Sequence, residues 1–474
     1  MHDDLFPSEH AIFGWIAEIV AQGVRRPGHP ADRWAEAWIA ERLRALGVEA
    51  VRHEPVQLPR WELRRASLRV DGREVSCFPL PHAANTPPRE LPLVPFDPAQ
   101  PERVRGAAAL FDAPLLRLPY AFMASQASFT FDPGATFTGA AQVLPFARQF
   151  QTVMEPAIAA GAAAFVGVLS DYPGDSHDYY VPYDGVARPI PGVWVRGSDG
   201  ARLRERAAQG SIVARIEVDA DRTMVTDHNV VGELHGADED RVIIGSHHDG
   251  PWASAVEDAS GIALVLAQAA YWARVPRAER PHHMMFVLNA GHMCHGAGTR
   301  AFIEAHRPEL ARVVLELHLE HAAAEHVARD GAVVPTGQPE ARWWFTSRLP
   351  RLEAAVRGAV EAEKLERSFV VPPTIFGPQP TTDGGFFHLE GVPLVNFLTA
   401  PFYLFDAMDT LDKIHRASLV PVTRAAVRIV ESTAGVSAAE MRGDADDQTS
   451  ARGAGPLGLR PRKLGGSWGP PGHG

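Results

Sequence analysis

Between Arg241 and Gly261 the chain reads RVIIGSHHDGPWASAVEDASG, and the residue types there are those of metal chemistry. His247, His248 and Asp249 follow the β-branched run Val242-Ile243-Ile244; Glu257 and Asp258 come next, before Ser260-Gly261 open an apolar stretch. Imidazole and carboxylate together suit a divalent cation, and in open α/β sheets such groups collect at the C-terminal ends of strands. The run ending at Gly245-Ser246 is expected to be a buried strand, and Ile262–Ala267 the start of a long apolar helix. Two later stretches offer more of the same chemistry: His292, after a strand over Met284–Leu288, and His318 with Glu320, at the end of a strand over Val313–Leu319. His318 and Glu320 are two residues apart and so share one face of that strand.

The elements that must position these groups alternate. Two helices are expected between Ser8 and Leu46, then strands over Val48–Val56 and Ala66–Phe78 with a tight turn at Asp71-Gly72, then a Pro-rich connector from Pro79 to Pro101. Gly106 to about Val218 reads as a small α/β module, with strands over Ala107–Phe111, Ala164–Leu169 and Ile212–Val218 and helices ending near Gly161 and Ala208. Within it, Ser170–Ala187 is a long loop, read as a solvated excursion, with a cover over the site as the other reading. Helices over Leu352–Leu365 and Val420–Val430 and a strand over Val392–Leu398 complete the pattern, and His282-His283 are read as surface residues. Strand–helix alternation implies an α/β fold, a mainly parallel sheet sandwiched by helices. Ala434–Gly474 turns to Gly, Pro, Arg and Asp and is read as a disordered tail.

A chain of 474 residues exceeds one compact core, so two or three domains are expected. The formal net charge of -11 argues against a nucleic-acid partner. Only Cys77 and Cys294 are present, which implies no disulfide framework and fits a reducing compartment. MHDDLFPSEH does not have the pattern of a signal peptide, and no apolar run is long enough to span a bilayer. The expectation is a soluble, cytoplasmic protein without a membrane partner, with a homo-oligomer left open.

Four segments carry a resemblance: GSHHD (245–249), VEDASGIALVL (256–266), FVLNAGHMCHGAGTRAFI (286–303) and MDTLDKI (408–414). In order and spacing they resemble the zinc aminopeptidases that share a fold with glutamate carboxypeptidase and glutaminyl cyclase, in the form carrying an inserted protease-associated domain. EPAIAAGAAAFVGVL and IPGVWVRGSDGARLRERAAQGSIVARIEV are similar to that insert, and the likeness spans roughly residues 8–432. It implies residues 1–104 as the amino-terminal part of the peptidase-like domain, 105–222 as the insert, 223–433 as the catalytic domain and 434–474 as the tail.

The resemblance also implies roles. His247 becomes a metal ligand with Asp249 fixing its ring, Glu257 takes the bridging position beside Asp258, and Glu320 takes the later strand-end position. The family's paired glutamates, general base and ligand, fall on His292 and Met293, and its last histidine ligand falls on Phe405, next to Asp406. A thioether and a phenyl ring do not hold a borderline cation, so one ion, zinc first with manganese or iron as alternatives, is expected where the family has two. His292 is then a general base, a further ligand or a relic, and His318 an extra ligand or a histidine bonded to backbone. Asp383 stands near the family's substrate pocket or caps a helix; Asp258 could be a helix cap too. His248, His295 and His321 are taken as bystanders, and Cys294 as a packed thiol. The implied activity is hydrolysis of an amide or related C–N bond in a small molecule or short peptide. The rival readings are a non-catalytic binding or scaffold protein and a metalloenzyme of different chemistry.

Overall fold

The structure is a computed structural model and describes residues 1–443, except 138, 140, 148 and 149 and the side chains of 150–152. Helices α1 (Glu9–Val20) and α2 (Pro30–Ala45) open the chain. The Ser8 hydroxyl accepts from the Ala11 N–H to cap the first, and Pro30 starts the second where its missing N–H costs nothing. Ile12, Ile16 and Ile19 of α1 and Ala35, Ile39 and Leu43 of α2 are fully buried, as their helical spacing requires.

Strand β1 (Glu49–Val70) runs unbroken across the two strands expected there. Pro55 and Pro59 lie inside it and look like breaks in the sequence; β1 runs at the side of the sheet, where a residue without an N–H is tolerated. The module then contributes β2 (Thr86–Pro95), β3 (Ala108–Asp112), β4 (Ala164–Leu169) and β5 (Gly192–Arg196), parallel to one another. Strand β6 (Ile212–Leu234) continues past the expected end at Val218 and lies antiparallel to β1 along nearly all of its length.

The later elements that build the part carrying the site include β7 (Arg241–His247), α3 (Gly261–Trp272), β8 (His283–Asn289), α4 (Ala297–Ala305), β9 (Val313–Leu319), β10 (Arg342–Thr346), α5 (Pro350–Ala362), β11 (Leu394–Thr399) and α6 (Leu419–Glu431). The sheet runs β5-β4-β3-β2-β6-β8-β7-β9-β11-β10, so β6 joins the module to the part that carries the site. Strands β8, β7, β9 and β11 are mutually parallel, which puts the ends of β7, β8 and β9 at one edge. Val242, Ile243 and Ile244 are buried, and so is every residue of α3, a helix apolar on all sides that packs between the sheet, α1 and α6.

His282 and His283 are buried, not surface residues: His282 contacts Asp238 and the Thr433 carbonyl, and His283 Nε2 lies 2.9 Å from Glu233 Oε2. Glu233 also pairs with Arg52, so one carboxylate on β6 ties β1 to β8. The His283 hydrogen bond, outweighing burial, brings Glu233 down from 4.5 to about 2. A depressed carboxyl stabilises the fold above its unfolded value near 4.5, and that contribution fades as pH falls through about 2. Glu233→Gln is expected to lower stability at neutral pH by about 1–3 kcal/mol in denaturant melts, and to match the parent chain near pH 2.

The region read as a tail begins in order: Ala438–Gly443 is helical with Met441 buried, and 444–474 lie outside the described residues. Among the described residues no helix is long and apolar enough to cross a membrane.

Candidate metal centre

Four imidazoles meet at the strand-end edge. His247 ends β7, His292 follows β8 by three residues, His318 lies within β9 and His321 lies just beyond it. Each has its Nδ1 against an acceptor: the Asp249 carbonyl at 3.0 Å for His247, Asp383 Oδ1 at 3.0 Å for His292, Glu316 Oε1 at 2.9 Å for His318, and the Thr399 carbonyl at 2.7 Å for His321. In the neutral ring this places the proton on Nδ1 and leaves the Nε2 lone pair for the interior, the arrangement of metal-binding histidines.

Two carboxylates complete the cluster. Glu257 Oε1 lies 3.6 Å from His247 Nε2 and 3.7 Å from His292 Nε2, and Glu257 Oε2 lies 2.6 Å from His321 Nε2. Glu320 approaches from β9, 3.0 Å from His318 Nε2 and 3.9 Å from His321 Nε2. Two groups have their donor atoms close enough for one ion: His247, Glu257 and His321, and His247, His292 and Glu320. The residues fit a divalent cation. His247 Nε2, His321 Nε2, Glu320 Oε1 and both Glu257 oxygens are buried without hydrogen-bond partners, which is costly unless a cation binds there.

The surroundings fix these groups. Asp409 accepts from the Val256 and Glu257 N–H groups and so sets the Glu257 backbone; burial raises its carboxyl to about 7. Asp258 bonds the Gly261 N–H and the Ser246 hydroxyl, and a Cβ at Gly261 would collide with its carboxylate, so glycine is needed where α3 begins. Asp258 thus caps the helix while lying 3.8 Å from His247. Asp249 differs from expectation. Its backbone carbonyl holds the His247 ring, while its carboxylate accepts from the His292 and Met293 N–H groups at 2.9 and 2.8 Å, clamping the turn after β8. Burial alone would raise that carboxyl, but the His247 contact brings it to about 2.

Of the sequence candidates, His247, Glu257, Glu320 and His292 come together. His318 lies outside both ion-holding groups; its Nδ1 faces Glu316 Oε1, and its Nε2, buried without a hydrogen-bond partner, stands 3.0 Å from Glu320 Oε1. Asp383 makes no capping bond to the helix it precedes and instead holds His292. Asp406 is apart from the cluster: its Oδ1 accepts from the Met408 N–H, and burial raises it to about 6. His321, read as a bystander, is in the centre. His248 is bound to Asp32 and His295 packs edge-on against Phe386, so these two are apart from it. Cys294 is buried, and burial holds its thiol well above its usual value, as expected of a packed thiol.

Sequence reasoning also missed Tyr183. The 170–187 loop is a cover rather than a solvated excursion: Tyr183 stacks on His292 with ring centres 5.5 Å apart, and Phe405 packs 4.7 Å from Tyr183. The Tyr180 N–H bonds the Phe405 carbonyl, and the His295 N–H bonds the Tyr183 carbonyl. Phe405, on which the resemblance puts the family's last histidine ligand, thus packs on the Tyr183 cover.

Residues 229–430 match the model of peptidase family M28. Among solved structures the chain is similar to a peptidase M28 precursor from Shewanella amazonensis SB2B, at 19% identity over 90% of this chain and 94% of that one, with a TM-score of 0.68. It is similar to a zinc aminopeptidase from Bacillus subtilis (18%, 89% and 95%, TM-score 0.65). It is also similar to an aminopeptidase from Aneurinibacillus sp. strain AM-1 (18%, 89% and 93%, TM-score 0.63). At these identities the likeness is one of fold. No curated protein matches the chain.

Proposed function

From the match of residues 229–430 to the model of peptidase family M28, we propose that the chain is a metal-dependent hydrolase of the aminopeptidase-like kind, cleaving an amide or related C–N bond in a small molecule or short peptide. The observation that carries this reading is the convergence of unpartnered Nε2 and carboxylate oxygens in one buried cluster. His247, Glu257 and His321 would hold the ion, and His247 with His292 and Glu320 form the second group close enough to do so. One divalent cation, zinc before manganese or iron, is the proposed complement. Such an ion polarises a carbonyl and acidifies water.

The chain's own residues supply the rest. His292 is the most exposed of the four imidazoles, at 7%, and its Nε2 is positioned to take a proton from water and return it to a leaving amine. Asp383 holds the ring in the required tautomer and Asp249 holds its backbone. Tyr183 and Phe405 limit the room above His292, which favours a small substrate and keeps bulk water away.

The test is elemental analysis of the purified chain together with assays on aminoacyl-anilide and short-peptide substrates, before and after chelation. About one ion per chain, with activity lost to the chelator and regained on adding zinc, is the expected result. Undiminished turnover without metal defeats the mechanism, and a metal-free chain with no amidase activity favours the scaffold reading. One observation favours altered chemistry as a second reading: imidazoles outnumber carboxylates around the cluster, a donor balance that also suits iron. Iron in the purified protein, with activity that depends on oxygen, would select it.

A further inference from the structure

A second set of carboxylates lies behind the strand end. Asp32 and Glu36 are one turn apart on α2 and so project from the same face towards Asp227 on β6, with one oxygen from each within 4.8 Å of the others. All three are buried. Asp32 is partnered: Oδ2 accepts from the Gly28 N–H at 2.9 Å, and Oδ1 lies 2.7 Å from His248 Nδ1. Glu36 is partnered too, accepting from the His228 N–H at 2.8 Å and lying 3.1 Å from His228 Nδ1.

Asp227 is different. Its side chain is fully buried and as a carboxylate it meets no hydrogen-bond donor; its neighbours are the Asp32 carboxyl, with which it can bond only by sharing a proton, and Arg33, whose Nε stands 3.8 Å away on a half-exposed side chain. His248, Arg33 and the buried Arg25 offset part of this charge, but three buried carboxylates packed against one another remain unfavourable without a counterion or a shared proton. Burial, then the charges of Asp32 and Glu36, push Asp227 up to about 8, as expected for a carboxylate without a bound cation.

The three grouped donors are carboxylate oxygens, the donors of a hard cation, and they lie close enough together to reach one ion. We propose that Asp32, Glu36 and Asp227 hold a hard divalent cation of the calcium class, distinct from the imidazole-lined centre. The ion ties α2 to β6. Through the Asp32–His248 contact it also braces the residue that follows His247.

The test titrates calcium, with magnesium as comparator, into the zinc-saturated full-length chain, following heat of binding, zinc content and thermal melting. Expected are one calcium per chain and a rise in Tm of a few degrees, both lost in Asp227→Asn and weakened at least tenfold in Glu36→Gln, with zinc content unchanged. His321→Ala should bind calcium as the parent does. The proposal falls if the parent takes up no calcium at millimolar concentration, or if both carboxylate variants bind it equally well. It also falls if uptake disappears in His321→Ala, which would put the ion in the imidazole centre.

Discussion

His321→Ala is expected to strip the chain of its metal. The His321 Nε2 stands 2.6 Å from Glu257 Oε2 and belongs with His247 and Glu257 to one of the two ion-holding groups. Its ring is fixed by the Thr399 carbonyl at the end of β11, so the side chain is held in place before any ion arrives. Loss of a residue that only orients a ligand costs about 10–100-fold in metal affinity, and removing a ligand should cost more. A metal titration of the variant should therefore show affinity reduced by more than about 100-fold, with amidase activity lost at ordinary zinc concentrations and partly regained at high zinc. The fold should survive, because the substitution leaves the apolar core intact. Unchanged zinc affinity in a folded His321→Ala chain would return His321 to the bystanders.

Why His321 escaped the sequence is a matter of backbone geometry. Strand parity places His318 and Glu320 on one face and His321 on the other, and that rule holds only while the strand lasts. Strand β9 ends at Leu319, and His321 adopts a left-handed φ of +41°, turning its ring back into the cluster. His247 and Glu257 were legible because a β-branched run, a polar turn and a Ser-Gly helix start bracket them within one short segment. Tyr183 had no such local signal, since its stacking on His292 depends on how the module folds against strands β7 and β8, which come more than fifty residues later. The main sheet was readable from alternation. The length of β1 was not: two separate strands, Val48–Val56 and Ala66–Phe78, were expected, and 57–65 between them pair with β6 as their neighbours do. Asp383 was open between cap and pocket, and only the 3.0 Å contact with His292 decides between them.

That contact leads to the second large effect, the loss of turnover without loss of metal in His292→Ala. His292 Nε2 stands 3.7 Å from Glu257, farther than His321, and its ring lies parallel to His247 with centres 4.1 Å apart, under the Tyr183 cover. His292 is the most exposed of the four imidazoles, so its ring is the one placed to exchange a proton. General-base catalysis is worth about 10²–10⁴ in rate, and kcat should fall by that factor while zinc content stays near the parent value. Zinc lost along with the activity would make His292 a ligand instead. Asp383→Asn separates the two roles further. Burial pulls the His292 imidazole down, but Asp383 more than offsets it and brings the ring to about 10 in the metal-free chain; a bound cation would oppose the added proton and lower that value. Removing the carboxylate removes a raising influence, so the acid limb of the pH–rate profile should move to lower pH, with a smaller kcat on the plateau because the base is weaker. A limb that stays in place in Asp383→Asn would assign the proton transfer to another group.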